Sequence, residues 1–226
     1  MPKTQILDYP EIPALTQTPQ KLVVLLHGLG SDGNDLISLV PYIQNYMPAC
    51  HFISPPGIEA YDMAPFGRQW FSLRDRTHET ILNLTSDNAL EATKLITDKQ
   101  NELSLTNKDT ILIGFSQGSM MAVYLTLTAD TPYGATIAFS GRLIKPKELA
   151  NKSTPICIIH GKDDDVVACE EAEDLAKYLA EHNILHEKLI INNLTHSIDD
   201  KGLKFMIKIL QKHLVIPGAH VTRDLT

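Results

Sequence analysis

A serine flanked by glycines occupies a position in this chain where nucleophilic chemistry is possible. The segment Gly114-Phe115-Ser116-Gln117-Gly118 follows the apolar run 110–113 and leads directly into a helical pattern. A strand–serine–helix corner exposes the hydroxyl, and the glycines permit that corner because a larger side chain would clash with the neighbouring strand or helix. The pattern predicts Ser116 as a nucleophile.

An activated serine needs a histidine base, and that base needs a carboxylate to fix its tautomer. On a parallel sheet with the nucleophile on a middle strand, the partners follow later strands in the order acid, then histidine. With an acid near residue 164, the histidines that remain are His182, His186, His196, His213 and His220. Only His196 closely follows a predicted strand, which favours it as the base over a capping or surface role.

The acid is expected after the apolar run 155–160, where Asp163, Asp164 and Asp165 follow one another. The residue pattern alone leaves open which carboxylate turns toward His196. The other two are expected in a solvated turn that caps the next helix.

A tetrahedral oxyanion needs backbone N–H donors from the residue after the nucleophile and from the loop after an earlier strand. Gln117 supplies the first donor. The glycine-rich loop 27–33 supplies the second, which we expect to be the N–H of Leu29. These glycines do not form a phosphate-binding pattern, and His27 is expected to brace the loop.

The elements around these residues alternate between short β-branched runs and longer amphipathic stretches, which is typical of an α/β fold with a mostly parallel sheet and helices on both faces. The predicted strands are 21–27, 51–54, 110–115, 135–140, 155–160 and 187–192. The predicted helices are 34–46, 87–104, 117–129, 168–182 and 198–213. The second helix has candidate N-caps in Ser86-Asp87-Asn88.

We expect one domain over residues 1–226, with a core over about 20–214. The segment 55–85 lacks clear periodicity, and so long a loop in a compact domain is usually functional. The tail 215–226 is expected to be an irregular appendage.

Composition excludes several classes of protein. A net charge of -7 and a pI of about 5.7 argue against a nucleic-acid partner. The sequence has neither an apolar stretch of about 18 to 20 residues nor a signal-peptide core, so we expect a cytoplasmic protein without a transmembrane segment. Cys50, Cys157 and Cys169 lack the spacing of a disulfide framework or a zinc site, and Cys157 is expected in the core.

Four segments in register resemble the phospholipase/carboxylesterase family of α/β-hydrolases, which includes acyl-protein thioesterases and small bacterial carboxylesterases. They are Leu26-His27-Gly28-Leu29-Gly30, Gly114-Phe115-Ser116-Gln117-Gly118, His160-Gly161 and Thr195-His196-Ser197. The resemblance runs from about residue 20 to 214. It implies an α/β-hydrolase fold, with Ser116 as nucleophile, Asp164 as acid and His196 as base, and an oxyanion hole formed by the amides of Leu29 and Gln117.

The resemblance also places Gln69-Trp70-Phe71 beside an acyl pocket, and we expect Trp70, Phe71, Phe66 and Met63 to bind substrate. Three positions depart from the family pattern: Ser72 replaces a common acidic residue, Ser119 a frequent glycine and Asp165 a frequent proline. The arginines of this loop could contact a head group or peptide acid, or could simply be exposed to solvent. These arginines are Arg68, Arg74 and Arg76.

The expected activity is hydrolysis of esters or thioesters with short to medium acyl chains, through an acyl-enzyme and with no cofactor or metal. Lysophospholipids and S-acylated proteins are among the substrates that the resemblance implies. One alternative is a non-catalytic binding module that keeps the hydrolase shape, since fold alone does not prove activity. A weaker alternative is a serine peptidase. Exposed apolar residues around the loop could serve a homodimer or a lipid surface equally well.

Overall fold

The computed structural model describes residues 8–214, and these residues contain a seven-stranded sheet in the order β1-β3-β2-β6-β7-β8-β9. Strand β1 pairs antiparallel with β3, and all other neighbours are parallel. A separate antiparallel pair, β4 and β5, lies in the long loop. The strands are β1 Glu11–Ile12, β2 Lys21–Leu26, β3 Cys50–Ile53, β4 Glu59–Ala60, β5 Arg68–Gln69, β6 Thr110–Phe115, β7 Ala135–Phe139, β8 Ile156–Gly161 and β9 His186–Ile191.

Helices cover both faces of the sheet because successive side chains of its buried strands point to opposite sides. Val23 and Leu25 of β2 pack with α1, α2 and α6, whereas Leu22 and Val24 pack with α3 and α4. Helix α5 packs against β8 on the same face of the sheet as α4. The α-helices are α1 Gly33–Ile37, α2 Val40–Ile43, α3 His78–Leu103, α4 Gln117–Thr128, α5 Glu170–Glu181 and α6 Asp200–His213. The predicted α/β architecture is confirmed.

The structure corrects the predicted start of the long helix. Helix α3 begins at His78, nine residues before the expected start of 87–104, so the loop 55–85 ends at the N-cap Thr77. Ser86-Asp87-Asn88 therefore lies inside the helix rather than at its cap. Local hydrogen bonds fix this start of the helix. The Thr77 side chain accepts a hydrogen bond from the N–H of Thr80, and the Asp75 side chain accepts one from the N–H of Thr77.

The predicted helix 34–46 is also wrong as a single element. It consists of α1, α2 and a short 3-10 helix over Gln44–Tyr46, with Pro41 in the first turn of α2. Proline lacks an N–H and starts helices more readily than it continues them. The antiparallel edge strand β1 was not predicted, because two residues carry no detectable period.

The connectivity creates a crevice at one edge of the sheet. From β2 the chain crosses to β3 on one side, and β6 lies on the other side of β2. In open α/β sheets ligands bind outside the carboxyl ends of strands at such a reversal. The loops after β2 and β6 meet at this point, because Leu26 pairs with Gly114.

Candidate active site

Ser116 lies in a strained turn between β6 and α4. Its φ of 54° and ψ of -118° are rarely adopted by residues other than glycine. The turn closes tightly enough that a Cβ on Gly118 would lie 1.9 Å from the carbonyl oxygen of Leu26, and one on Gly114 would lie 2.4 Å from that of Gly118. Both flanking glycines are therefore required by close backbone approach, as the sequence pattern predicts.

Three side chains from remote segments form one hydrogen-bonded chain. Nε2 of His196 lies 2.8 Å from Oγ of Ser116, and Nδ1 of His196 lies 2.7 Å from Oδ2 of Asp164. An ionised carboxylate only accepts hydrogen bonds, so the imidazole carries its proton on Nδ1 and leaves Nε2 to accept the serine O–H. This is the arrangement in which a histidine can remove the hydroxyl proton.

The structure distinguishes Asp164 from its two acidic neighbours. Asp163 and Asp165 are exposed, whereas the side chain of Asp164 is 0% exposed. Its Oδ1 accepts hydrogen bonds from the amides of Val166 and Val167 at 3.0 and 2.8 Å, and its Oδ2 faces His196. Of the three consecutive aspartates, Asp164 is therefore the one whose carboxylate is turned inward.

Burial raises the pKa of Asp164, but the hydrogen bonds from His196 and from the amides of Val167 and Val166 outweigh burial and bring the pKa below its ordinary value. The carboxylate is therefore ionised at neutral pH. A negative charge at this position stabilises the imidazolium that forms when His196 accepts a proton.

Backbone contacts hold the acid loop against the histidine loop. The N–H of Asp163 donates to the carbonyl of Leu194, and the N–H of Lys162 donates to that of Ile191. A Cβ on Gly161 would lie 2.2 Å from the carbonyl oxygen of Leu194. The glycine after His160 thus allows the two loops to come close enough for the Asp164–His196 hydrogen bond.

A second histidine contacts the acid, and the sequence analysis did not anticipate it. His160 is buried at the end of β8; its Nε2 donates to the carbonyl of Val167 at 2.8 Å and lies 3.3 Å from Oδ2 of Asp164. Its Nδ1 has no hydrogen-bond partner within residues 8–214. The sequence feature that could have indicated this contact is the position of His160 near the end of a buried strand, four residues before Asp164.

The loop after β2 lies directly over the serine. A Cβ on Gly28 would lie 3.5 Å from Cβ of Ser116. Among residues 8–214, no acceptor takes a hydrogen bond from the N–H of Leu29, and Gln117 is the first residue of α4, so its N–H has no intrahelical acceptor. Both amides are thus free to bind a developing oxyanion.

His27 braces this loop, as predicted. The fully buried imidazole donates from Nδ1 to the carbonyl of Gly28 at 2.7 Å and accepts at Nε2 from the N–H of Gly57 at 2.8 Å. Desolvation lowers the pKa of His27 below its ordinary value. The ring is therefore neutral, and its two hydrogen bonds join the loop at Gly28 to the loop at Gly57.

The side chain of Gln117 anchors the tryptophan segment. Its Oε1 accepts from the N–H of Trp70 at 2.9 Å, and its Nε2 donates to the carbonyl of Phe71 at 2.7 Å. The indole N–H of Trp70 donates to the carbonyl of His27 at 2.8 Å. Gln117 thus joins the residue after Ser116 to the long loop, a contact the sequence analysis did not predict.

A cavity of about 330 Å³ opens beside the Leu29 loop. Met63 lines it, whereas Phe66 is exposed and Trp70 and Phe71 are buried in the hydrophobic core. Substrate contact by Met63, Phe66, Trp70 and Phe71 stays a prediction. A larger groove of about 790 Å³ lies on the α3–α4 face. Neither this groove nor the smaller cavity is lined by Ser116, His196 or Asp164.

The competing histidines lie away from this arrangement. His182 and His186 bond to the carbonyls of Tyr178 and Ile184, and His213 bonds to Glu187. His220 and the tail 215–226 lie outside the described residues. Of the described candidates, His196 alone reaches both an aspartate and the serine.

The sheet, its helices on both faces and the serine turn after a middle strand define an α/β-hydrolase. A family model described as phospholipase/carboxylesterase matches residues 7–214. The chain belongs to the phospholipase/carboxylesterase family, and it is an ester hydrolase of the carboxylesterase and acyl-protein thioesterase kind. Within residues 8–214, none of the helices combines the length and apolar character needed to cross a membrane.

Named relatives agree with this family. Esterase YpfH of Escherichia coli K12 is 28% identical over 214 residues, with 91% of this chain and 86% of YpfH covered. Acyl-protein thioesterase 1 of Kluyveromyces lactis is 23% identical, with 92% and 98% covered. The crystal structure of esterase PE8 superposes with a TM-score of 0.86 at 34% identity, with 91% of this chain and 98% of PE8 covered.

Replacing Gln117 by leucine should loosen the tryptophan segment. The change keeps a similar volume but leaves the N–H of Trp70 and the carbonyl of Phe71 buried without partners, and we expect a loss of about 2–4 kcal/mol in the free energy of unfolding. Trp70 is the single tryptophan of the chain, so its fluorescence reports the change directly.

Gln44→Leu is the matched control for Gln117→Leu, because Gln44 makes one exposed hydrogen bond to the carbonyl of Pro13. Urea unfolding followed by fluorescence should show a small effect, within about 0.5 kcal/mol, for the control. Equal stabilities for the two variants would contradict the anchoring role.

The depressed pKa of Asp164 predicts a pH-dependent contribution to stability. A carboxyl whose pKa is lower in the folded than in the unfolded protein stabilises the fold at pH values above its ordinary pKa of 3.8. That contribution is lost as the pH falls through the folded pKa. Asp164→Asn should cost about 2 kcal/mol at neutral pH, and the cost should shrink below about pH 4.

The measurement is urea unfolding of wild type and variant at a series of pH values, with Asp163→Asn as the control. Asp163 is exposed, so its variant should differ little from wild type at any pH. A cost of Asp164→Asn that does not change with acidification would refute the prediction.

Proposed function

We propose that the chain acts as one catalytic domain that hydrolyses carboxylic esters or thioesters through a triad of Ser116, His196 and Asp164. The observation that carries the proposal is the continuous hydrogen-bonded chain from Oγ of Ser116, through both ring nitrogens of His196, to Oδ2 of Asp164. Membership of an ester-hydrolysing family supports the same chemistry.

In the acylation step, Oγ of Ser116 attacks the acyl carbonyl carbon while Nε2 of His196 takes the hydroxyl proton. The carbonyl oxygen becomes an oxyanion, which the amides of Leu29 and Gln117 stabilise. Loss of one such donor typically costs about 10²- to 10³-fold in rate. His196 then returns its proton to the departing alkoxide or thiolate, and an acyl-serine remains.

In the deacylation step, water attacks the acyl-serine carbonyl while His196 takes a proton from that water. The second tetrahedral intermediate collapses, His196 protonates Oγ of Ser116, and the carboxylic acid leaves. Asp164 keeps its charge throughout and stabilises the imidazolium in both steps. The strained turn at Ser116 keeps Oγ aimed at the same point in both steps.

We place the acyl chain in the cavity beside Leu29, whose apolar walls include Tyr61, Met63 and Leu73. A volume of about 330 Å³ is at the lower end of the range for small-molecule sites. It suits short to medium acyl chains better than long ones. Small soluble esters and lysophospholipids carry an oxygen ester and S-acylated proteins a thioester, and the triad can attack the acyl carbon of either, so the leaving group is selected outside the triad.

Ser116→Ala should abolish turnover, with a fall in kcat of about 10⁴-fold or more, and should abolish labelling by a fluorophosphonate. Ser119→Ala is the control, because it removes a buried hydroxyl three residues away that has no hydrogen-bond partner within the described chain. Labelling that persists in Ser116→Ala, detected by mass spectrometry of the intact protein, would exclude Ser116 as the nucleophile.

The acyl preference is tested with p-nitrophenyl esters of increasing chain length and with an S-palmitoylated peptide. Each buried methylene is worth about 0.8 kcal/mol, so kcat/KM should rise about fourfold per carbon until the cavity is full. We expect a maximum at medium length and slower cleavage of the palmitoyl thioester. A rate that keeps rising to palmitoyl would place the chain outside this cavity.

A further inference from the structure

The cavity beside Leu29 is lined by both apolar and charged side chains. Leu29, Tyr61, Met63 and Leu73 form the apolar part, and the charged residues that line it are Asp62, Arg74 and Arg76. Leu29 follows Gly28, which lies against Ser116. An acyl chain that entered this cavity past Leu29 would meet both apolar and charged side chains.

Two of the three arginines in this loop are already committed to structural contacts. Arg68 donates from its guanidinium to the carbonyls of Gly57 and Ile58, at 2.9 Å each. Arg74 pairs with Asp62, whose Oδ2 lies 3.3 Å from its Nε. Both guanidinium groups are engaged in contacts within the loop, and the charge of Arg74 is balanced by that of Asp62.

The carboxylate of Asp62 is likewise occupied. Its Oδ2 accepts the hydroxyl of Ser72 at 2.5 Å in addition to the contact with Arg74, and these interactions lower its pKa. Asp62 is therefore ionised, and its charge is balanced by that of Arg74. One charge at the edge of the cavity is left over.

That charge is the guanidinium of Arg76, which makes no hydrogen bond or ion pair within residues 8–214. The adjacent Asp75 makes no ion pair with it within residues 8–214; its carboxylate instead accepts from the N–H of Thr77 and the hydroxyl of Thr80 at the start of α3. Among the residues that line the cavity, Arg76 is thus a cation without an ion-pair partner in residues 8–214.

We propose that Arg76 binds a negatively charged group at the far end of the acyl part of the substrate, so that the enzyme accepts monoesters or monothioesters of dicarboxylic acids. This inference rests on the proposed function, because it assumes that the acyl chain enters this cavity from Ser116. The apolar wall holds the methylene chain, and a terminal carboxylate then meets the guanidinium. Arginine suits this role because its planar N–H groups match a carboxylate.

The test compares four aryl esters. Three are p-nitrophenyl esters with six-carbon acyl chains: hexanoate, monoadipate and 6-aminohexanoate, which end in neutral, anionic and cationic groups. The fourth is the hexanoate ester of 4-hydroxybenzenesulfonate, which carries its negative charge on the leaving group. Each is measured as kcat/KM for wild type, Arg76→Gln, Arg76→Lys and Arg76→Glu.

We expect Arg76→Gln to lower the ratio of kcat/KM for monoadipate to that for hexanoate by about tenfold, the scale of a hydrogen bond to a charged group. Arg76→Lys should keep most of the ratio, and Arg76→Glu should raise the ratio for 6-aminohexanoate. The wild-type ratio for monoadipate should fall with added salt, because the site is open to solvent. The sulfonate ester should not respond to Arg76→Gln.

Lys108→Gln is the matched control, since it removes the same charge at the amino end of β6, the opposite edge of the sheet from Ser116, and Lys108 is exposed. An unchanged monoadipate ratio in Arg76→Gln, or an equal fall in Lys108→Gln, would overturn the proposal. A response confined to the sulfonate ester would place the anion on the alcohol side and would also overturn it. Failure of wild type to hydrolyse hexanoate would instead count against the proposed function.

Discussion

The hydrogen bond between Asp164 and His196 is the contact on which the candidate site depends. It joins loops from β8 and β9 that are 32 residues apart along the chain. The carboxylate is excluded from water, and two backbone amides fix its direction, so it points at one ring nitrogen and sets the tautomer of the other. Gly161 makes this possible, because any side chain there would push the loops apart.

Close backbone packing also fixes the position of Ser116. Backbone strain at Ser116 is held by its surroundings: its N–H donates to the carbonyl of Phe139 on β7, and close packing at Gly114 and Gly118 leaves no room for relaxation. The ring of His196 packs against Phe115 with centroids 4.9 Å apart. The sheet therefore positions Ser116, and loops that contact one another position Asp164 and His196.

The long loop is held by polar contacts rather than by regular structure. Gln117, His27 and Arg68 each bond to backbone atoms of the loop, and Trp70 fills the core beneath it. The cavity beside Leu29 is lined by both apolar and charged side chains.

Much of this protein was determined by local sequence. The β-branched runs and glycine positions predicted six of the nine strands within residues 8–214 and the α/β class, and they indicated Ser116 and His196 as candidates, because strand period and turn chemistry are encoded by neighbouring residues. Asp164 was singled out only by family resemblance, since three identical carboxylates in a row have the same local propensities. Tertiary structure turned one of them inward, joined His160 to it, extended α3 back to His78 and committed Arg68 and Arg74, whereas Arg76 makes no hydrogen bond or ion pair within residues 8–214. Burial and pairing between remote segments decide such features, and no short window of sequence contains them.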